Sequence, residues 1–261
     1  MTEDSLPDHV RKNRELWDHD AEDWVAAGER NWAGEPVWGI WGIPETELRL
    51  LPGDMSGLRS VELGCGTGYV SAWMARRGGT VCGIDNSERQ LETARRLAAQ
   101  HGVDLELVHG NAERTPWAGE SFDFAISEYG AATWCDPKAW IPEAHRLLRP
   151  GGELVFLGNH PLATLAMDAE SAAPAGRSLR RPYFGLHRVD WSEPGGATGT
   201  EFNLPISGWL ELFRETGFEL IAYRELRAPA GRDETRFGIS RAWARDYPSE
   251  QVLKLRKRMQ A

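Results

Sequence analysis

Residues 61–68 read VELGCGTG, an apolar strand-like run that passes directly into three alternating glycines. Ser60–Leu63 has the β-branched and aliphatic content of a buried strand, and the next segment, 69–77 (YVSAWMARR), reads as a helix stopped by Gly78-Gly79. A strand, a glycine turn and a helix form the first half of a βαβ unit, whose turn lies at the carboxyl end of the strand. The spacing decides what the turn can hold. A dinucleotide turn is G-x-G-x-x-G, and its third glycine lets a pyrophosphate sit on the helix N-terminus. Here the glycines are Gly64, Gly66 and Gly68, and Tyr69 stands where that third glycine would fall. The side chain crowds the pyrophosphate seat, while the glycines still admit a thin, uncharged segment of ligand. Asp85 ends the next strand, where a carboxylate can take both hydroxyls of a ribose. The predicted ligand is a nucleoside without phosphates.

The pattern continues outward from that turn. Thr80–Asp85 is the second strand, and Ser87 with Gln90 three residues on caps a helix whose Leu91, Ala94, Leu97 and Ala98 share one face. Leu105–His109, Phe122–Ser127 and Glu153–Leu157 read as strands three to five, with a firm helix at Pro142–Leu148, because Pro142 would interrupt a longer one. Residues 158–205 are rich in glycine and proline and read as an insertion that covers something. Ser207–Thr216 is a helix, Phe218–Glu225 a strand, Phe237–Arg241 an antiparallel edge strand, and the tail 249–261 a basic amphipathic surface helix. The fold class is α/β: a doubly wound seven-stranded sheet, mostly parallel with one antiparallel edge strand. Residues 1–58 form an N-terminal helical arm or lid, and residues 59–261 the main domain, with an inserted cap after strand five.

Composition narrows the partners. A 261-residue chain with 41% hydrophobic residues can bury a full core, and a net charge of −9 disfavours a phosphate backbone as partner. No stretch resembles a leader or a membrane span, so a cytoplasmic protein without membrane or nucleic-acid partners, a monomer or homodimer, is expected. Cys65, Cys82 and Cys135 lack metal-site spacing, so no metal is expected. Five of twelve tryptophans (Trp17, Trp24, Trp32, Trp38 and Trp41) fall in the first 41 residues, either stapling the arm to the domain or walling a ligand. Trp38 and Trp41, in WGIWGIPE, belong to a lid corner or to a packed connection.

The stretches VELGCGTG, GIDNSERQLETARR, GNAERTPWAGESFDFAISEYG and LLRPGGELVF resemble, in order and spacing, the class I S-adenosylmethionine-dependent methyltransferases of the small-molecule, type 11 kind. The resemblance covers roughly residues 59–160 and implies a Rossmann-like domain with S-adenosyl-L-methionine as cofactor and S-adenosyl-L-homocysteine as product. It implies that Glu62, Gly64, Cys65, Gly66 and Gly68 surround the methionine part. It further implies that Asp85 binds the ribose, that Asn86 flanks the adenine with Gln90 nearby, and that Asn111, Ala112 and Glu113 meet the adenine edge. Ser127 would line the floor. Position 111 is more often aspartate in the family; asparagine still offers a carbonyl oxygen to the adenine amine. NRELWDHDAEDW is similar to the family's N-terminal helix, in which an aromatic pair, here Trp17 and Trp24, closes over the cofactor.

Methyl transfer from a sulfonium depends chiefly on alignment of the acceptor, and an acceptor hydroxyl or amine must also lose a proton. Tyr129 and Glu128 follow strand four at the ligand-binding edge, with Tyr129 the preferred catalytic candidate. His187 lies in the insertion beside Tyr183, Phe184, Arg188 and Trp191, and is the candidate base, ahead of His160. The aromatic content suggests an aromatic or apolar small-molecule substrate methylated at oxygen, nitrogen or carbon. Two other readings stay open: a protein that keeps the cofactor pocket without transferring methyl, and a nicotinamide-dependent oxidoreductase, against which Tyr69 and the short turn argue.

Overall fold

The computed structural model describes residues 6–171, 173–192 and 198–259. Seven strands form one sheet: β1 (Arg59–Leu63), β2 (Thr80–Asp85), β3 (Glu106–His109), β4 (Phe122–Glu128), β5 (Leu148–Asn159), β6 (Phe218–Leu226) and β7 (Glu250–Lys257), in the order β6-β7-β5-β4-β1-β2-β3. The pairs from β3 across to β5 are parallel, and β7 runs antiparallel to both of its neighbours. The chain steps outward from β1 through β2 to β3 and then returns to place β4 on the other side of β1. That reversal makes the carboxyl ends of β1 and β4 the topological switch point, where doubly wound sheets bind their ligands.

Side chains alternate between two cores. Val61, Leu63, Phe156, Leu253 and Leu255 face one layer with Trp140, Trp209 and Phe213, while Ile126, Val155 and Val252 face the other with Trp38, Trp41 and Trp73. Helices α1 (Asp8–Ala33), α2 (Tyr69–Arg76), α3 (Glu88–His101), α4 (Gly130–Trp134), α5 (Pro137–Leu147), α6 (Pro161–Ala166), α7 (Ile206–Thr216) and α8 (Arg241–Asp246) complete these layers, with a single helical turn at Glu45–Leu48. Ser87 caps α3 by accepting from the Gln90 N–H, and Gly102 ends that helix in the left-handed conformation.

Besides β5, which begins at Leu148 and not at Glu153, three assignments differ from the pattern reading. The tail is strand β7, not a helix: Leu253, Leu255 and Lys257 alternate inward, and the buried Lys257 ammonium donates to the carbonyls of Leu148 at 2.7 Å and His145 at 3.1 Å. The antiparallel strand at this flank of the sheet is therefore residues 250–257. Residues 237–241 instead divide between a two-residue hairpin strand (Ile239–Ser240, paired with Thr235–Arg236) and the start of α8. Finally, α5 begins at Pro137, capped by Asp136, and carries Pro142 inside it. The bond that Pro142 cannot make is the one to the carbonyl of Lys138, an exposed residue where water can substitute.

The insertion holds α6 and a separate hairpin, Arg188–Trp191 with Gly199–Phe202, which meets α1. Asn13 of α1 donates to the Trp134 and Thr200 carbonyls and accepts from the Thr200 N–H at 2.7 Å. Asn13 thus joins α1 to this hairpin and to the end of α4.

Candidate functional site

The glycine turn follows β1 at the switch point of the sheet. Gly64, Gly66 and Gly68 all have positive φ, and the N–H groups of Gly64 and Cys65 donate to the Ile84 carbonyl at 2.8 and 3.0 Å. Gly64 packs backbone to backbone against Gly130, at the start of α4: a Cβ on Gly64 would lie 2.5 Å from the Gly130 Cα. Cys65 is buried against Gly83, and burial pushes its thiol well above the usual range, so it stays an inert thiol.

Asp85 ends β2 with one carboxylate oxygen on the Gly66 N–H at 2.7 Å and the other on the Ser87 N–H at 2.8 Å. It therefore sets the shape of the turn. Glu62 is nearly fully buried and turns toward α2, where it accepts from the Ser71 N–H at 2.8 Å. Asn86 accepts from Arg14 at 3.0 Å and donates to the Val10 carbonyl at 2.8 Å, binding the arm to the edge of the site. Gln90 is buried and lies next to Gly66.

On the β3 side, Asn111 closes an Asx turn onto the Glu113 N–H at 2.9 Å beside buried Ala112, and the Glu113 carboxylate accepts from the Asp136 N–H at 2.8 Å and pairs with His9 at 2.7 Å. Ser127 donates to the Leu63 carbonyl at 2.7 Å and accepts from the Ala132 N–H, clamping β4 to β1. Trp17 and Trp24 do meet, with ring centroids 5.5 Å apart, and join Trp134 and Phe237 in one aromatic cluster. Trp38 and Trp41 are core residues whose indoles donate to Glu45 and Ser249, so WGIWGIPE is a packed connection.

Two candidates for proton transfer separate. Tyr129 leaves β4 with φ 57° and ψ −33°, a conformation outside the usual regions that costs on the order of 1–3 kcal/mol and concentrates at functional sites. Its hydroxyl donates to Glu250 at 2.8 Å. The neighbouring Glu128 accepts from the Gly39 N–H at 2.9 Å and from the Tyr69 hydroxyl. His187 pairs instead with Asp136 at 2.9 Å and packs edge-on against Phe202. With Asp136 also tied to Glu113, the His9–Glu113 and His187–Asp136 pairs fasten arm, cap and α5 together. We expect His187→Ala to leave the chemical rate within about threefold while lowering the melting temperature by a few degrees, on the basis of one lost hydrogen bond to a carboxylate; single-turnover kinetics and thermal melting check it. His160 caps α6 and pairs with Glu225 at 3.1 Å, with burial holding its imidazole below the usual value. Tyr183 accepts from the Ile206 N–H, Arg188 pairs with Asp8, and Phe184 points into solvent.

The carboxyl edge is acidic and poorly solvated. Burial raises Asp85 and Glu128 from their ordinary values and Glu62 well above its own, and lifts Glu250 and Glu201 to about 7. A cation placed at this edge would favour the ionised forms that burial disfavours. Glu250 and Glu201 were invisible as site residues in the sequence, since one lay in an apparent surface helix and the other in an insertion without a motif.

A doubly wound sheet with one antiparallel strand at its flank, and an alternating glycine turn at the switch point, are features of the class I S-adenosylmethionine-dependent methyltransferase fold. Residues 61–156 match the family model described as methyltransferase domain. The chain is similar to a ubiquinone biosynthesis O-methyltransferase of Ruegeria pomeroyi, 36% identical over 139 residues that make up 53% of this chain and 54% of that protein. It spans about half the length of the curated relatives it matches. Among solved structures, the S-adenosylmethionine dependent methyltransferase from Listeria monocytogenes superposes with a TM-score of 0.64 at 19% identity, covering 82% of this chain and 96% of that one. The 1,6-didemethyltoxoflavin-N1-methyltransferase of Burkholderia thailandensis, solved with S-adenosylhomocysteine bound, superposes with a TM-score of 0.55 at 15% identity over 97% of this chain and 92% of its own. Among the described residues, no helix is long and apolar enough to cross a membrane and no cluster of metal-ligating side chains occurs.

Proposed function

We propose that the protein methylates a hydroxyl group on a small aromatic or apolar metabolite, with S-adenosylmethionine as donor. The observation that carries this reading is the Tyr129 hydroxyl, held by a strained backbone at the carboxyl end of β4 and bonded to a buried carboxylate. The similarity to an O-methyltransferase favours oxygen as the acceptor atom. When bound, the cofactor supplies an electrophilic methyl group on a sulfonium. In this reading the Gly64–Gly68 turn and Glu62 surround its methionine part, Asp85 takes the ribose hydroxyls, and Asn86, Gln90 and the 111–113 turn lie along the adenine. Trp17 and Trp24 exclude water from above, and Glu128 faces the positive charge. Tyr129 contacts the acceptor hydroxyl. The net charge of −9 favours a free metabolite in the cytoplasm over a nucleic acid.

Calorimetry with S-adenosylmethionine and with NAD, followed by a mass-spectrometric screen for S-adenosylhomocysteine against phenols, aliphatic alcohols, amines and thiols, tests the proposal. Binding of the sulfonium alone and turnover of hydroxyl acceptors are expected. Binding without turnover of any hydroxyl would count against it.

A further inference from the structure

Glu250 belongs to none of the motifs that define the site, yet it is a fully buried carboxylate at the carboxyl edge of the sheet. It opens β7 in register with Asn159, the last residue of β5. Its Oε1 accepts from the Tyr129 hydroxyl at 2.8 Å and from the Ile40 N–H at 2.9 Å, while its Oε2 has no hydrogen-bond partner. Above it lies the turn that contains Gly39, where a Cβ would come within 2.0 Å of Oε1, so glycine is what lets the turn seal the carboxylate from water. Among the described residues no lysine, arginine or histidine forms an ion pair with Glu250. Its charged and titratable surroundings are Glu128 at the end of β4, with Tyr69 bonded to it, Glu201 of the cap, which acts on Tyr129, and Tyr129 itself. Arg236 reaches this turn only through the Ile40 carbonyl.

We propose that Glu250 is the proton acceptor behind Tyr129: as the acceptor hydroxyl oxygen attacks the methyl carbon, its proton passes to the Tyr129 oxygen while the Tyr129 proton passes to Glu250 Oε1. This rests on the hydroxyl-methylating reading above. The new C–O bond forms from a lone pair on the acceptor oxygen, and the S–CH3 bond breaks with its electron pair left on sulfur. The carboxylate becomes a carboxylic acid, and its proton returns to solvent after product leaves. One sulfonium and one carboxylate become a neutral sulfide and a neutral acid, so a dry surrounding favours the step. A fixed cation beside Glu250 would oppose it by holding the carboxylate ionised, which accounts for the missing ion pair. Burial pushes Glu250 up to about 7, so the ionised, proton-accepting form predominates only above neutrality.

The test measures methylation of catechol as a function of pH by the wild type, Glu250→Gln, Tyr129→Phe and the double variant, with S-adenosylhomocysteine binding followed by calorimetry. Gln keeps the acceptor for Ile40 and Tyr129, so folding and product affinity should stay within about twofold of the wild type. The wild-type rate should rise through about pH 7; Glu250→Gln should lose that limb and fall about 100-fold at its plateau, and the double variant should fall no further. A Glu250→Gln enzyme that keeps both limb and rate overturns the proposal. So does one that loses only product affinity. If the wild type binds the cofactor but does not methylate catechol or any other hydroxyl, the hydroxyl reading fails instead, and an infrared titration still decides the coupling. A carboxyl band with its midpoint near 7, absent in Glu250→Gln and moved to higher pH in Tyr129→Phe, supports it; a midpoint indifferent to Tyr129→Phe overturns it.

Discussion

Gly64→Ala should reduce S-adenosylhomocysteine affinity more than about 100-fold and lower the melting temperature by ten degrees or more. The residue has φ +78°, a conformation that costs a side-chain-bearing residue about 1–2 kcal/mol. The added methyl would also stand 2.5 Å from the Gly130 Cα and 2.7 Å from the Ala131 N–H nitrogen, both backbone atoms that no rotamer change can move aside. Overpacking of this kind costs roughly 1–3 kcal/mol more and pushes β1 away from β4 at the switch point. Gly66→Ala is the informative comparison. Its methyl would meet only the Gln90 side chain, at 4.0 Å, so stability should fall less while affinity still drops. Calorimetry and thermal melting measure both; a Gly64→Ala protein with undiminished affinity would remove the turn from the site.

Asp85→Ala should weaken S-adenosylmethionine binding by about ten- to a hundredfold, equivalent to about 1.4–2.8 kcal/mol. Two losses combine. The ribose hydroxyls forfeit their acceptor, and the N–H groups of Gly66 and Ser87 forfeit the carboxylate that fixes the turn before ligand arrives. Asp85→Asn separates these effects, since an amide oxygen can keep one of the two backbone bonds. Its affinity should fall between those of the wild type and the alanine variant. Equal affinity in all three proteins, measured by calorimetry, would contradict the ribose assignment.

The parallel half of the fold was legible because its signals are local. Each strand from β1 to β5 shows its own apolar run, and each turn its own glycine or cap, as at Ser87 and Gly102. The tail was misread because one feature of its period-2 pattern, the inward Lys257, looks polar until the carbonyls of His145 and Leu148 are placed around it. Pro142 misplaced the start of α5 for a similar reason: the lost bond falls at exposed Lys138, a fact of the fold rather than of the sequence. The site divides along the same line. Gly64 and Gly66 lie in one short motif and Asp85 at the end of the next strand, whereas Glu250 reaches Tyr129 only through the pairing of β7 with β5. The partner of His187, Asp136 at the start of α5, is set by the packing of the insertion and could not be read from the sequence.

The position of β7 also governs how the molecule is assembled. It pairs Glu250 with Asn159 and Arg256 with Glu153, while β6 has no other sheet neighbour among the described residues. It thereby covers the edge of β5, with Phe156 and Leu157, which unpaired would be a strand edge of the kind a second molecule can extend, so the strand that brings Glu250 to Tyr129 also closes that edge.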